Sequence, residues 1–159
     1  MPLQYTPGQL RSTVGLSKET FRHWKRVLPA FASGRGHAPS YSPGDVLASA
    51  ILRRVTETCG IRIGYLTDVA TKIFEICNQT SWDVLENDIL IVDLPRQNCV
   101  ILHNPADISV KNTVLVCPLG PVIAELQDDL LRSRRAIPKP PANAVSASQK
   151  KHANRGRGK

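Results

Sequence analysis

Val14-Gly15-Leu16-Ser17-Lys18-Glu19-Thr20-Phe21-Arg22-His23-Trp24-Lys25-Arg26-Val27-Leu28-Pro29 is the stretch on which the fold turns. Ser17 is a good N-cap, because its hydroxyl can accept from an otherwise unpaired amide of the first helical turn. The ten residues after it are compatible with helix until Pro29, which stops it. Upstream, Thr6-Pro7-Gly8-Gln9 carries the elements of another helix start, with Thr6 as cap, Pro7 at the first position and Gln9 completing a capping box. Gly15 is the turn signal that ends this first helix early. Two short helices joined at Val14-Gly15-Leu16 make a helix-turn-helix pattern.

Downstream, residues 30–41 read as loop, since Gly34, Gly36 and Pro39 oppose regular helix. Ser42-Pro43-Gly44-Asp45 repeats the capping box and opens a third helix, with Val46, Leu47, Ala50, Ile51 and Val55 at helical spacing and Gly60 placed to end it. A fourth helix is expected from Gly64 to Cys77, with Leu66, Val69, Ala70, Ile73 and Phe74 on one face. After Trp82 the pattern changes. Ile89–Val92, Cys99–Leu102 and Val114–Cys117 are short apolar runs rich in β-branched residues and read as three strands, the first two joined through Pro95-Arg96-Gln97-Asn98. Another helix follows from Pro121. From about Arg135 the chain is Pro, Ala, Ser, Lys and Arg, which cannot offset ordering entropy by burial and predicts disorder. The expected class is α+β: a helical DNA-binding unit over 1–78, a small β-rich module over 79–134 and a basic tail over 135–159.

Charge divides the chain along the same lines. Residues 1–80 carry +5, residues 81–131 carry −6 and residues 132–159 carry +9, making up the net +8 of the 159 residues. Basic segments attract polyanions through counterion release, so nucleic acid is the first partner to consider for head and tail. No apolar run approaches the ~20 residues that cross a bilayer, and Met1-Pro2-Leu3-Gln4-Tyr5 has no basic region leading into an apolar stretch. A cytoplasmic, nucleoid-associated protein is the expectation, without membrane contact. Cys59, Cys77, Cys99 and Cys117 contain no C-x-x-C pair and read as reduced, mostly buried small hydrophobes. On the same reading of the compartment, the glycosylation pattern Asn78-Gln79-Thr80 stays unused.

The second helix places Lys18, Arg22, Lys25 and Arg26 at i, i+4, i+7 and i+8, which gathers them on one cationic face. Such a face can enter the major groove with Ser17 and Lys18 near base edges and the arginines on phosphates. Arg53, Arg54 and Arg62 are candidates for bracing the phosphate backbone, with plain surface charge as the alternative. Trp24 is expected in the core, as the apolar anchor of a small helical unit. Cys99, His103 and Cys117 are the only candidate metal ligands. Period-2 alternation sets Cys99 and His103 on one strand face but ~13 Å apart, so no metal or other cofactor is expected. The acidic residues of the middle segment are scattered, no nucleophile–base arrangement or phosphate-cradling loop appears, and an enzyme is not expected.

The order of motifs in the first 75 residues resembles the DNA-binding domain of the MerR family of bacterial transcription regulators. Tyr5-Thr6-Pro7-Gly8-Gln9-Leu10 looks like that family's opening segment, and Gly15 to Trp24 looks like its recognition helix with the preceding turn. The loop Gly34 to Ser40 occupies the wing, and Tyr41-Ser42-Pro43-Gly44-Asp45-Val46 resembles the segment re-entering the helix pair. The resemblance implies a winged helix-turn-helix in which Arg22 contacts phosphate or a base edge. It places His23 and Trp24 at paired aromatic positions, one facing DNA and one partly packed, and Tyr41 at the wing. The family's arginine before the wing tyrosine is replaced by Pro39 and Ser40, so Arg35 and His37 are the cations the loop offers instead. The family's long dimerising helix is replaced by strands. The function implied is sequence-specific transcription regulation on double-stranded DNA, by a homodimer joined through residues 82–134. An architectural or accessory DNA protein, of recombination-directionality or partition type, and a protein-interaction adaptor are the alternatives.

Overall fold

The computed structural model describes residues 3–32, 40–104 and 113–135 and has mixed α and β architecture. Helix α1 (Pro7–Val14) begins with the reciprocal box of Thr6 and Gln9 and ends at Gly15, whose φ of 71° is the left-handed conformation that glycine adopts most easily. Helix α2 (Lys18–Val27) is capped by Ser17. A short α3 (Pro29–Ala32) follows directly, inside the stretch expected to be loop. Pro29 does end α2, but it then serves as the first residue of the next turn, where its missing N–H is no loss.

Helix α4 (Pro43–Cys59) carries the second capping box, Ser42 with Asp45, and ends at Gly60 with φ 65°. The helix expected from Gly64 is instead a 3-10 turn (Ile63–Leu66) that continues into α5 (Thr67–Gln79). A single turn, α6 (Trp82–Leu85), which the sequence reading did not foresee, precedes the sheet. Strands β1 (Ile89–Asp93), β2 (Asn98–Leu102) and β3 (Leu115–Pro118) form an antiparallel sheet in the order β2-β1-β3. The β1–β2 turn is held by Asp93, which accepts from the Arg96 amide at 3.2 Å and pairs with its guanidinium at 3.0 Å. Helix α7 (Leu119–Arg135) starts two residues ahead of Pro121 and packs on α4 and α1.

The buried apolar cluster runs across the boundary expected between residues 78 and 79. It extends from Tyr5 and Leu10 through Leu47, Ile51 and Phe74 to Leu90, Val92, Val122 and Leu126. The two segments therefore share one core, with α7 returning to the N-terminal helices. One sheet face enters this core through Leu90 and Val92. On the other face Ile91 pairs with Val100 and Val116, and these two valines are 46% and 48% exposed.

The N-terminus of α4 is clamped to the C-terminus of α5. Asn78 donates to the Asp45 carboxylate at 2.9 Å and to the Phe74 carbonyl at 2.9 Å, while the Ser42 hydroxyl donates to the Asn78 side-chain oxygen. Gly44 makes this crossing possible, since a Cβ there would lie 2.4 Å from the Cys77 carbonyl oxygen and 2.8 Å from the Asn78 Cα. Both neighbours are backbone and cannot swing aside. Gly44→Ala is expected to destabilise the fold by about 1–3 kcal/mol through overpacking. Thermal unfolding of the variant measures this, and a melting temperature equal to the wild type's would refute the close approach.

Candidate nucleic-acid interface

Helix α2 has two unlike sides. Phe21 and Trp24 are 6% and 3% exposed, and Leu28 beyond the last turn is 1% exposed. They anchor in an aromatic cluster in which Phe21 meets Phe31 edge-on at 5.2 Å and Trp24 meets Phe31 at 6.0 Å. Phe31 also touches Phe74 of α5 at 5.8 Å, so α2 is tied to the core through α3. Edge-to-face pairs each add about 0.5–1.5 kcal/mol beyond area burial. The opposite side carries Lys18, Arg22, His23 and Arg26, all exposed, with Lys25 half-buried and its Nζ 6.0 Å from the Phe21 ring centroid. Lys18, Arg22, Lys25 and Arg26 fall within roughly 100° of the helix circumference, as the spacing requires.

Local chemistry supports this helix from both ends. The Ser17 hydroxyl accepts from the Thr20 amide at 3.0 Å and bonds the Thr20 hydroxyl at 2.9 Å. Glu19 stands in the first turn and Lys25 and Arg26 in the last, which suits the helix dipole. The same cap leaves Ser17 and Lys18 at the exposed N-terminal end of α2. Arg62, Tyr65 and His23 border a hollow of about 480 Å³ beside α2, floored by Trp24, Val27 and Ile63. Tyr65 is 69% exposed. Its exposure beside His23 is not an expectation of the sequence, although Gly64 before it signals a turn.

Two residues expected at this surface are elsewhere. Tyr41 is 3% exposed. Its backbone exchanges hydrogen bonds with Tyr5 at 2.8 and 2.9 Å, and its ring packs on Phe31 at 5.5 Å and Phe21 at 6.0 Å. Its hydroxyl is enclosed without a hydrogen-bond partner among the described residues, and burial, reinforced by the Asp45 carboxylate, raises its pKa. Tyr41 is therefore a core residue, because the Tyr5–Tyr41 bridge draws it beneath α2. Arg53 is also engaged internally. Its guanidinium donates to the Val14 carbonyl and to Glu57 Oε1 at 2.8 Å, so it braces the α1–α2 turn. Its Nη1 lies so close beneath Gly15 that a Cβ there would be 2.3 Å away. Arg54 pairs with Glu125 of α7. Arg35 and His37 lie outside the described residues.

Of the residues weighed as metal ligands, Cys99 and Cys117 are buried on β2 and β3, and His103 follows the end of β2. His103 Nδ1 bonds the buried Asp88 carboxylate at 2.9 Å. Among the described residues no group of three or more His, Cys, Asp or Glu side chains converges, and no described helix is long and apolar enough to cross a membrane. No protein-family model matches the chain, and no curated protein matches it.

All four thiols are free, and only Cys59 is exposed. Burial pushes the Cys77 thiol up to about 12 and the Cys99 thiol to about 11, and it raises Cys117 as well. A raised thiol pKa means less thiolate at neutral pH, and thiolate is the reacting form. Iodoacetamide at pH 7.5 is expected to modify Cys59 alone in the folded chain and the other three only in denaturant. Peptide mass spectrometry reads the pattern, and rapid native labelling of Cys77 would contradict it.

Proposed function

We propose that this chain is a sequence-specific DNA-binding regulator of transcription. In this reading α1 and α2 form a helix-turn-helix, α2 lies in the major groove, and the segment between α3 and α4 acts as a wing. The observation that carries the reading is the division of α2 into a buried aromatic side and an exposed side bearing Lys18, Arg22 and Arg26. A helix held by Phe21 and Trp24 can present cations to a groove without losing order, and base edges are read by side chains that a fixed element carries into the groove. Arg62 and Tyr65 stand further round α2, past His23. The acidic middle segment, net −6 over residues 81–131, belongs away from the phosphates.

Arg22→Ala is expected to weaken binding to the preferred site by about 1–3 kcal/mol and to relax sequence preference. Selection of bound fragments from a random DNA pool, followed by titration of cognate and scrambled duplexes, measures both effects. Equal binding of the two duplexes by wild type and variant would end the recognition-helix assignment.

Two-fold-related half-sites suit a module of this size, and the exposed valine pair beside Ile91 supports self-association through the sheet within residues 82–134. Because the core crosses residue 78, the full chain is the species to measure. Sedimentation across a concentration series is expected to show a monomer–dimer equilibrium that Val116→Lys abolishes. A wild-type monomer at every concentration, with and without DNA, refutes it.

The tail after Arg135 holds Lys139, Lys150, Lys151, Arg155, Arg157 and Lys159 with no acid, and it acts as a non-specific phosphate tether. Truncation after Arg135 is expected to make the slope of log affinity against log salt shallower by roughly one for each phosphate the tail neutralises, with sequence preference retained. An unchanged slope would remove the tail from the interface.

A further inference from the structure

A cavity of about 570 Å³ lies between the C-terminal half of α4, the edge strand β3 and α7, and it reaches the end of α1 at Thr13 and Val14. Its volume falls in the range of roughly 300–1,000 Å³ typical of small-molecule sites. Ala50, Val55, Leu115, Val122 and Leu126 supply much of its wall. The arginines that border it are already neutralised, Arg53 by Glu57 and Arg54 by Glu125, the second pair joining α4 to α7. Asp129, the remaining carboxylate of the lining beside Glu57 and Glu125, faces Arg132 at 3.9 Å, so each charged side chain at the cavity has a counter-charge and the wall between them is apolar. We infer that the cavity is a binding site for an uncharged, largely apolar small molecule of two or three fused rings.

The same site touches the proposed DNA-binding unit through one side chain. Arg53 lines the cavity and also donates to the Val14 carbonyl at the α1–α2 turn. A water-excluding molecule against Arg53 strengthens that hydrogen bond by lowering the local dielectric, so occupancy stiffens the turn that orients α2. This second step rests on the DNA-binding reading, whereas the site itself does not.

Cys59 reports occupancy, because it lines the cavity and is the one exposed thiol of the four. The experiment uses the full chain, with naphthalene as probe and two charged analogues, naphthalene-1-sulfonate and 1-naphthylmethylammonium. Naphthalene is expected to slow Cys59 alkylation saturably at one molecule per chain, and both charged analogues to bind at least tenfold more weakly. Ala50→Phe, which fills the cavity from its wall, should abolish protection while the variant still melts cooperatively. If that variant does not fold, the wild-type comparison alone still decides. No protection by naphthalene overturns the site, and equal or better protection by a charged analogue overturns the ligand class. Saturating naphthalene should also tighten the chain on its selected DNA site about fivefold or more, within the usual range of coupling between sites. Unchanged affinity for DNA overturns the coupling through Arg53. A chain that binds no DNA at all refutes the functional reading instead, and Cys59 protection then still tests the site.

Discussion

Helix α4 buries apolar side chains around most of its circumference, and one neighbour cannot cover them all. Val46, Leu47, Ala48, Ile51 and Leu52 are at most 1% exposed, and their spacing spans well over the apolar stripe of an ordinary surface helix. The chain meets this demand from several directions, with α1, α5 and α7 all packing on α4. Helix α7, which follows the whole sheet in the chain, supplies part of that cover, so the C-terminal half completes the core of the N-terminal half. The shared core follows from that, and so does the sheet's position, whose inner face closes the cluster behind α5.

This dependence explains what was legible in the sequence and what was not. The helix starts at Thr6, Ser17 and Ser42 and the glycine stops at Gly15 and Gly60 are local chemistry, and each was readable within four residues. The three strands were readable because β-branched runs between turn residues leave few other options. The placement of Trp24 in the core followed from its size. The shared core was not legible, because division of the chain by charge describes surfaces and carries no information about which apolar faces meet. Helix α6 and the 3-10 turn are four residues each, too short for any periodicity to register. Arg53 looked like a surface cation because its partner Val14 lies 39 residues away, and Tyr41 looked available because its bridge to Tyr5 is also distant in sequence.

The cations of the N-terminal half thus fall into two physical groups. Arg53 and Arg54 have carboxylate partners and join helices to one another. Their charge is offset by carboxylates within the molecule, which weakens their pull on a phosphate. Lys18, Arg22 and Arg26 stand exposed on a helix whose other side is immobilised by aromatic packing. For a polyanion this second group is the accessible one, and it attracts without a competing carboxylate having to leave.

The link between the two groups is the turn at Gly15. Its left-handed backbone ends α1 and aims α2, while the Arg53 guanidinium fills the space that a side chain at residue 15 would need. A larger residue there would meet a strained φ and would have to push the Arg53 guanidinium aside, so the backbone conformation is what reserves the position for glycine. In turn the Arg53 guanidinium is held on two sides, by the Val14 carbonyl and by Glu57 one helical turn further along α4. The orientation of α2 therefore depends on a helix that makes up the centre of the core. The Arg53 guanidinium is thus a polar link between α4, which also packs on α7 and borders the cavity, and the turn at the start of α2, beside the aromatic link through Phe31.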